Sequence, residues 1–198
     1  MVSGPFCFFM DLFPLFLKLH GRRVLVVGAG PVAASKLASL LATGATVTVV
    51  APEVCAAIRD AGVPVERREF TESDLDAVWY VVAAATPEVN ARVAQAAESR
   101  RIFVNAVDDP PNASAYLGGV VRRDGVTIAI STSGEAPALA GLLREGIDAL
   151  LPEDLDRWTA AARDARRDWK ARGVPMTERR PLLLQALNAL YERTESPA

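Results

Sequence analysis

The sequence predicts an α/β fold, a Rossmann-like, doubly wound and mainly parallel sheet that is followed by a hairpin, one further helix and a helical C-terminal region. Three observations support this prediction. An apolar run, Val24–Val27, leads into a glycine turn that opens a helix. Strand-like and helix-like segments then alternate as far as Asn105. Beyond residue 150 the apolar residues recur at helical spacing.

The glycine turn has the form Gly28-x-Gly30-x-x-Ala33. Gly28 allows the tight turn, Gly30 lets the backbone approach a phosphate, and Ala33 lets the helix lie close to the sheet. Free N–H groups at the helix start then face the anion. The motif alone is equally consistent with a plain tight turn. As a dinucleotide site its predicted cofactor contacts are Gly28, Ala29, Gly30, Pro31 and Val32.

The other elements of the first half follow from the alternation of apolar runs and helical periodicity. Phe13–Leu19 is expected to form a leading strand. The remaining predicted elements, besides Val24–Val27, are strands Thr46–Val50, Val63–Arg67, Val78–Ala84 and Ile102–Asn105 and helices Val32–Leu41, Glu53–Ala61 and Glu88–Arg100. Ligands of such sheets lie beyond the carboxyl ends of the strands. The loops 28–30, 51–53, 85–87 and 106–109 are therefore expected to meet at one crevice.

The pattern changes at Pro110-Pro111-Asn112, a turn-forming cluster. The pair Asp124-Gly125 predicts a hairpin between two β-rich runs. The later elements are predicted as strands Leu117–Val121 and Val126–Ile130, and helices Pro137–Leu151, Leu155–Arg172 and Arg179–Arg193, with a break at Gly173–Pro175. We therefore expect three parts: a nucleotide domain over 10–112, a hairpin and helix over 113–151, and a helical domain over 152–198.

Composition excludes several function classes. The 198 residues are 51% hydrophobic, and 22 basic against 24 acidic residues give a net charge of −2, which argues against a nucleic-acid-binding protein. Cys7 and Cys55 lack metal-ligand spacing, so no metal site is expected and a reducing cytoplasm is the simplest location.

The apolar segment Pro5–Leu17 contains Asp11, lacks a basic leader and is too short to span a membrane. Met10 is a candidate start, with residues 1–9 as an extension.

Glu53 is the candidate for recognising the cofactor ribose. An acidic residue at the end of the second strand normally binds the ribose hydroxyls of NAD, although Glu53 stands slightly late for this role. A first-turn helix position stabilised by the helix dipole is an equally good interpretation. Arg59 is the nearest basic residue that follows the strand, so the sequence favours NAD over NADP.

Taken together, the ordered motifs resemble the precorrin-2 dehydrogenase and sirohydrochlorin ferrochelatase family, the N-terminal module of siroheme synthase. The resemblance covers residues 13–151. It rests on 13-FPLFL-17, 26-VVGAGPVA-33, Lys36, 49-VVAPE-53, 84-AAT-86, 104-VNAVD-108, 131-STSG-134 and 142-LLRE-145.

The resemblance implies NAD-dependent oxidation of precorrin-2 to sirohydrochlorin, for siroheme or cobalamin synthesis. It leaves insertion of ferrous iron open. It also implies a homodimer formed through residues 113–151. A non-catalytic module that senses NAD or a tetrapyrrole, on the same kind of sheet, is the alternative hypothesis.

Asp108 is the predicted catalytic residue, since it matches the aspartate of the family's Asn-x-Val-Asp loop. A carboxylate there would accept a proton as hydride leaves, or take pyrrole protons during metal insertion. From sequence alone, a turn formed by Asp108 and Asp109 before Pro110 is equally plausible. Asn105 in the same loop is a predicted substrate contact, and Thr86 after the fourth strand a predicted cofactor contact.

The remaining predicted contacts are expected to bind substrate carboxylates. Ser131, Thr132 and Ser133 carry hydroxyl donors, although a helix-capping box over Thr132–Glu135 is the stronger single interpretation. Arg122 and Arg144, with Arg123 beside them, are the cationic candidates. The remaining candidates are assigned no role in the chemistry. Trp158 and Trp169 are expected to be packing residues, and the charged residues between 154 and 172 are expected to form a solvated helix face. His20 is expected to lie away from the crevice.

Overall fold

The computed structural model of the chain describes residues 12–192, with side chains up to Tyr191. This part of the chain forms two compact units that divide between Leu117 and Gly118, and each is described by itself. The sequence-based division into three parts stays a prediction. The expectations about Cys7, Met10 and residues 1–9 lie outside the described residues.

The first unit is built on a five-stranded, all-parallel sheet with strand order β3-β2-β1-β4-β5. This is the order of a doubly wound dinucleotide-binding sheet, so the predicted fold class is confirmed. Its strands are β1 Arg23–Val27, β2 Thr46–Val50, β3 Val65–Glu66, β4 Tyr80–Ala83 and β5 Phe103–Ala106, and its helices are α1 Pro31–Leu41, α2 Ala56–Asp60 and α3 Pro87–Ser99.

Both faces of the sheet are covered, which explains why β1 and β4 read as continuous apolar runs. On one face Val24 and Val26 pack with Leu37 of α1 and Ile58 of α2. On the other face the alternate strand residues pack with Val93 of α3 and with its neighbours. Burial on both faces therefore comes from helices that wind in opposite directions from β1.

The strands end at one level. The register aligns a single row across the sheet, composed of Glu66, Val50, Val27, Ala83 and Ala106. The turns that follow these residues consequently leave from the same edge, which is called the carboxyl edge below. The expected meeting of the loops at one edge of the sheet is thus a direct result of strand register.

The largest differences between the predicted elements and the structure concern three of them, one of which is the last helix, which begins at Met176 rather than at Arg179. Phe13–Leu19 is not a strand: Phe13 and Phe16 are exposed, Pro14 has no N–H for a ladder, and only Leu19 enters the core. The second helix begins at Ala56 rather than at Glu53, because Pro52 and Glu53 form a bend after β2.

The second unit begins with an antiparallel hairpin, β6 Gly119–Arg123 and β7 Val126–Ile130, as predicted from Asp124-Gly125. Helix α4, Pro137–Leu150, packs on it. Gly119 allows this contact, because a Cβ there would lie 2.8 Å from the Ala140 carbonyl oxygen and 3.2 Å from the Arg144 Cβ.

Helices α5 Leu155–Arg172 and α6 Met176–Glu192 complete the second unit. Gly173, at φ +68°, ends α5 in the left-handed conformation, as the predicted break requires. The Trp158 indole N–H donates to the Tyr191 hydroxyl at 2.6 Å, so Trp158 packs between helices as predicted. Ion pairs such as Arg167–Asp164 lie along the exposed face of α5.

Within residues 12–192 no helix is long and apolar enough to cross a membrane. In the same range no three His, Cys, Asp or Glu side chains come together as a metal-binding group.

Candidate functional site

Gly28 ends β1 at the point where the strand order reverses, between β1 and β4. Its φ is +100°, and a Cβ at this position would overlap the Ala84 carbonyl oxygen and lie 2.6 Å from the Ala84 carbon. The Gly28 N–H donates to Val50 at 2.9 Å, and the Ala84 N–H donates to Val27 at 2.8 Å. A side chain is therefore excluded here on both conformational and steric grounds.

The start of α1 is open. Gly30 is the N-cap and Pro31 the first helical residue, no side chain of residues 12–191 caps this end, and its first turn contains no acidic residue. A Cβ built on Gly30 would meet no atom within 4 Å. Ala33 is fully buried against the sheet. The backbone N–H of Val32, a residue that is 48% exposed, thus lies at an uncapped helix start, an arrangement suited to an anion.

The neighbouring turn, between β4 and α3, is held by a buried side chain. Asn90 is 2% exposed, and its Oδ1 accepts a hydrogen bond from the Ala85 N–H at 3.1 Å. Thr86 is the exposed N-cap of α3. The backbone N–H of Glu88 and the Thr86 hydroxyl donate to the Glu88 carboxylate, which lowers the pKa of Glu88. This helix start is therefore occupied by the protein's own carboxylate.

Glu53 is exposed in the bend after β2. It lies three residues before α2, so the interpretation as a first-turn helix residue is wrong, because Cys55 is the N-cap. The Cys55 N–H donates to the Ala29 carbonyl at 3.0 Å, which fixes this loop against the glycine turn. Arg59 donates to the Val54 carbonyl instead of facing the strand end.

Asp108 and Asp109 follow β5 but have different surroundings. The Asp109 carboxylate accepts from the Asn112 side-chain amide at 3.0 and 2.9 Å, and so forms the turn before Pro110. Asp108 is exposed, has φ +53°, and makes no side-chain hydrogen bond or ion pair within residues 12–192. The turn-forming role thus belongs to Asp109, while Asp108 holds a free carboxylate in a conformation that costs most residues about 1 kcal/mol or more.

Asn105 is buried rather than displayed. Its Nδ2 donates to the Ala115 carbonyl at 3.0 Å, and its Oδ1 lacks a partner within the part of the chain described. The Ser114 hydroxyl accepts from the Val104 N–H at 2.9 Å beside it. Asn105 and Ser114 therefore fasten both ends of the loop that carries Asp108. Its predicted role as a substrate contact stays a prediction.

The hydroxyl loop lies between β7 and α4. Thr132 Oγ1 accepts from the Ala136 N–H at 3.2 Å, and Ser131 Oγ accepts from the Ser133 N–H at 3.1 Å. The capping-box interpretation is wrong, since α4 begins at Pro137 with Ala136 as its N-cap. Ser133 and Gly134 instead adopt positive φ and turn the chain. The hydroxyl hydrogens of Ser131 and Thr132 remain available as donors.

The three arginines have distinct roles. Arg123 pairs with Asp148 at 2.7 Å and donates to the Leu151 carbonyl, so it joins the hairpin to α4 and is not free to bind a ligand. Arg144 is half-buried beside Glu145 at 3.0 Å. Arg122 is exposed, with no ion pair inside the described range. The substrate roles of Arg122 and Arg144 stay predictions.

Asn90 and Ser114 were not identified by sequence reasoning. Both are ordinary polar residues in a helix and a loop, and their importance depends on burial that only the folded sheet creates. Asn90 follows the turn residue Thr86 by four positions, and the backbone N–H of Asn90 donates to the Thr86 carbonyl at 2.9 Å. That spacing after a strand end is the only available signal.

Comparison with known proteins identifies the family of the part of the chain that contains the glycine turn. Residues 15–119, more than half of the chain, match the family model described as "Putative NAD(P)-binding". The chain belongs to this NAD(P)-binding family. The predicted NAD cofactor is therefore confirmed as a dinucleotide of the NAD(P) type. Residues 123–150 match a second model, described as the central part of the sirohaem biosynthesis protein.

Curated relatives align with this NAD(P)-binding chain over most of its length. It is 43% identical over 185 residues to siroheme synthase 3 of Aeromonas hydrophila, and 39% identical over 187 residues to siroheme synthase of Photorhabdus laumondii. These matches cover 91% and 92% of the chain but 40% of each relative. The chain thus spans well under half the length of these relatives.

A solved structure agrees with these sequence matches. SirC, a precorrin-2 dehydrogenase, is 26% identical, has a TM-score of 0.66, and the match covers 88% of each chain. The family resemblance drawn from the ordered motifs is therefore confirmed.

Proposed function

We propose that this chain is an NAD-dependent precorrin-2 dehydrogenase, which oxidises precorrin-2 to sirohydrochlorin in siroheme or cobalamin synthesis. The observation that carries the proposal is the free carboxylate of Asp108 on the same sheet edge as an open dinucleotide turn. The similarity to siroheme synthases and to SirC over most of the chain supports the same reaction.

The turn after β1 fits the pyrophosphate of the cofactor. The chain offers the backbone N–H of Val32, open space at Gly30, and no carboxylate in the first turn of α1. The contacts proposed for the dinucleotide are those of the glycine turn together with Glu53 and Thr86. Glu53 in the bend after β2 suits the ribose hydroxyls, and the lack of a basic residue in that bend favours NAD over NADP. When bound, the cofactor supplies the hydride acceptor.

Asp108 accepts the proton of the oxidation. Removing two hydrogens from precorrin-2 as a hydride and a proton requires a base for the proton, and a carboxylate without an internal partner can take it. Adjacent strands lie ~4.8 Å apart, so the ends of β1 and β5, separated only by β4, lie about 10 Å apart, and Asp108 follows the end of β5 by two residues. This spacing keeps the base away from the pyrophosphate site but on the same edge.

Carboxylates of the tetrapyrrole require donors and cations. Ser131 and Thr132 keep their hydroxyl hydrogens free, Ser133 has no side-chain hydrogen bond within residues 12–192, and Arg122 is exposed without an ion pair in that range. Arg144 offers part of its guanidinium beside Glu145. We assign these five residues to substrate binding. Asn105, which is 7% exposed and donates to the Ala115 carbonyl, is assigned to holding the loop that carries Asp108.

The chain is also proposed to form a homodimer through α4. This helix exposes a row of leucines: Leu139, Leu142, Leu143 and Leu150. Leu150 is 83% exposed and Leu142 66% exposed, which is unusual for a single helix facing water. The experiment is analytical ultracentrifugation of the wild type and of Leu142→Glu, with a dimer expected for the first and a monomer for the second. A monomeric wild type at high concentration contradicts the proposal.

The activity is tested by anaerobic incubation of the chain with precorrin-2 and NAD⁺. We expect NADH absorbance and sirohydrochlorin to rise together in equal amounts. Tight binding of NAD⁺ without turnover by well-folded protein would contradict the dehydrogenase and favour a sensing module. Uptake of ferrous iron by sirohydrochlorin, followed in the same protein, tests whether the chain also inserts the metal.

Asp108→Asn tests the base directly. Asparagine tolerates the left-handed conformation of Asp108, so the fold is expected to be unchanged. The turnover rate should fall by about 100-fold or more while NAD⁺ affinity stays within about twofold, because only the proton acceptor is lost. Wild-type turnover in this variant, with thermal unfolding unaltered, would remove Asp108 from the mechanism.

A further inference from the structure

The opposite edge of the same sheet contains a cleft of about 770 Å³. We call it the amino-edge cleft, and it is lined by residues 17–22, 78–79 and 100–103. These residues precede or begin β1, β4 and β5, so the cleft lies at the ends of the strands remote from the glycine turn. None of the residues assigned to cofactor or substrate lines it.

The amino-edge cleft is positively charged. Its lining segments contain Lys18, Arg22, Arg100 and Arg101 and no acidic residue. Arg100 lies near Glu72 at 3.5 Å and Asp76 at 3.8 Å, so its charge is compensated. The other three basic side chains are exposed and form no ion pair within the described part of the chain.

Exposed aromatic side chains stand among these cations. Trp79 is 54% exposed and Phe103 46% exposed, although both adjoin buried strands. The Arg22 guanidinium carbon lies 3.8 Å from the centroid of the Trp79 ring, a cation–π arrangement that fixes the guanidinium. Flat apolar surface and fixed positive charge therefore occur together, a combination that recognises a flat ring with anionic groups.

Arg101 occupies a position that folding alone would give to glycine. Its φ is +58°, and its N–H and that of Ile102 donate to Glu98 and Ala97, which ends α3 in a left-handed turn. Glycine is the preferred residue at such a helix end. An arginine there places a long cation in the cleft at a conformational cost to the fold.

From this geometry we propose that the amino-edge cleft is a binding site for a small aromatic polycarboxylate, held by Arg22, Arg101 and Lys18 and packed against Trp79. The site is separate from the NAD⁺ site, because the two lie at opposite ends of the strands.

The experiment is calorimetric titration of the whole chain with benzene-1,3,5-tricarboxylate, and with citrate as a tricarboxylate that lacks the ring. We expect one binding site for the aromatic probe and at least tenfold weaker binding of citrate. Saturating NAD⁺ should leave the affinity for the aromatic probe unchanged. Equal affinity for citrate, competition by NAD⁺, or no binding of the aromatic probe would each overturn the proposal.

Variants test the residues involved. Arg101→Gly removes the cation and relieves the left-handed strain, so it should weaken binding about tenfold with stability equal to or above that of the wild type. Trp79→Ala should weaken binding by a similar factor. Arg166→Gln, at an exposed residue of α5, is the charge-matched control and should bind like the wild type. Wild-type affinity in both Arg101→Gly and Trp79→Ala, or an equal loss in Arg166→Gln, contradicts the site.

Discussion

Two strand-to-helix turns stand side by side at the carboxyl edge, one after β1 and one after β4. Both enter a helix that has proline at its first position, Pro31 in α1 and Pro87 in α3. They differ in what faces the helix start. The turn into α1 has Gly30 and no acidic residue, whereas the turn into α3 has Thr86 and Glu88.

The difference explains which helix is available to an external anion. Glu88 already lies at the positive end of α3, and hydrogen bonds from its own N–H and from Thr86 lower its pKa. A second anion there would meet a negative charge. Among the residues that the structure describes, no side chain caps the start of α1 and no carboxylate lies in its first turn, so at this edge an external anion meets a negative charge at α3 but not at α1.

Gly28→Ala is the substitution with the largest expected effect, because it destroys the contact between the two turns. The added Cβ would overlap the Ala84 carbonyl, and alanine disfavours φ +100°. We expect a loss of about 3 kcal/mol or more in the free energy of unfolding, measured in urea. Gly30→Ala is the matched control, since its Cβ meets open space, and it should cost about 1 kcal/mol or less. Equal stability of the two variants would contradict the packing described.

Val32→Glu makes the start of α1 resemble that of α3. Val32 is 48% exposed in the first turn, so the fold should accept the change. A carboxylate there should weaken NAD⁺ binding at least tenfold, by repulsion and by occupying the helix end. Val32→Gln introduces a side chain of nearly the same shape as glutamate without its charge, and its affinity for NAD⁺ should lie within about threefold of that of the wild type. The converse change, Glu88→Gln, should leave NAD⁺ affinity unaltered. Titration of NAD⁺ by calorimetry decides between these outcomes.

A third helix start contains Asp74, in the short 3₁₀ helix Glu72–Leu75 that follows Thr71. Its carboxylate accepts from the Thr71 N–H at 2.8 Å and pairs with Arg68 at 2.5 Å. Chiefly the hydrogen bond from Arg68, and also the one from Thr71, lower the pKa of Asp74.

A lowered pKa sets the sign of the pH dependence. The contribution of Asp74 is fully present above the unfolded pKa, about pH 4, and is lost as the pH falls through the lower folded value. We expect Asp74→Asn to lower the free energy of unfolding by about 1 kcal/mol at neutral pH. The variant should also show a smaller fall in this free energy as the pH decreases below about 4, a range called the acid limb. An identical acid limb in wild type and variant would refute the assignment. NAD⁺ affinity at neutral pH should stay unchanged.

The sequence predicted most of the sheet because burial on both faces leaves a direct signature. The runs at Val24–Val27 and Thr46–Val50 are almost entirely apolar or β-branched, and short runs of this composition are typical of parallel strands that are buried on both faces. Phe13–Leu19 carries similar residues but has no neighbouring strand to pair with in the described structure. Apolar composition alone does not reveal whether an edge is available.

The candidate site was predictable where the backbone imposes the residue type. Gly28 must be glycine for reasons of conformation and contact, so its role could be inferred before the structure was known. The roles of Asn90 and Arg123 depend on hydrogen-bond partners, the Ala85 backbone N–H and the Asp148 carboxylate, that lie 5 and 25 residues away along the chain. The predicted capping box over Thr132–Glu135 is wrong, because Ser133 and Gly134 form a turn and the helix begins only at Pro137.

The distinction between Asp108 and Asp109 shows the same limit. Both residues suit a turn before proline, and only the contact from Asn112 assigns that role to Asp109. Family resemblance favoured Asp108 beforehand, and the free carboxylate gives that preference a physical basis.

The most direct test of the central claim is a crystal structure of the chain with NAD⁺. The account predicts the pyrophosphate against the Val32 N–H, beside Gly30, with the Glu88 carboxylate still at the start of α3. A pyrophosphate bound at α3, or away from both helix starts, would contradict the account.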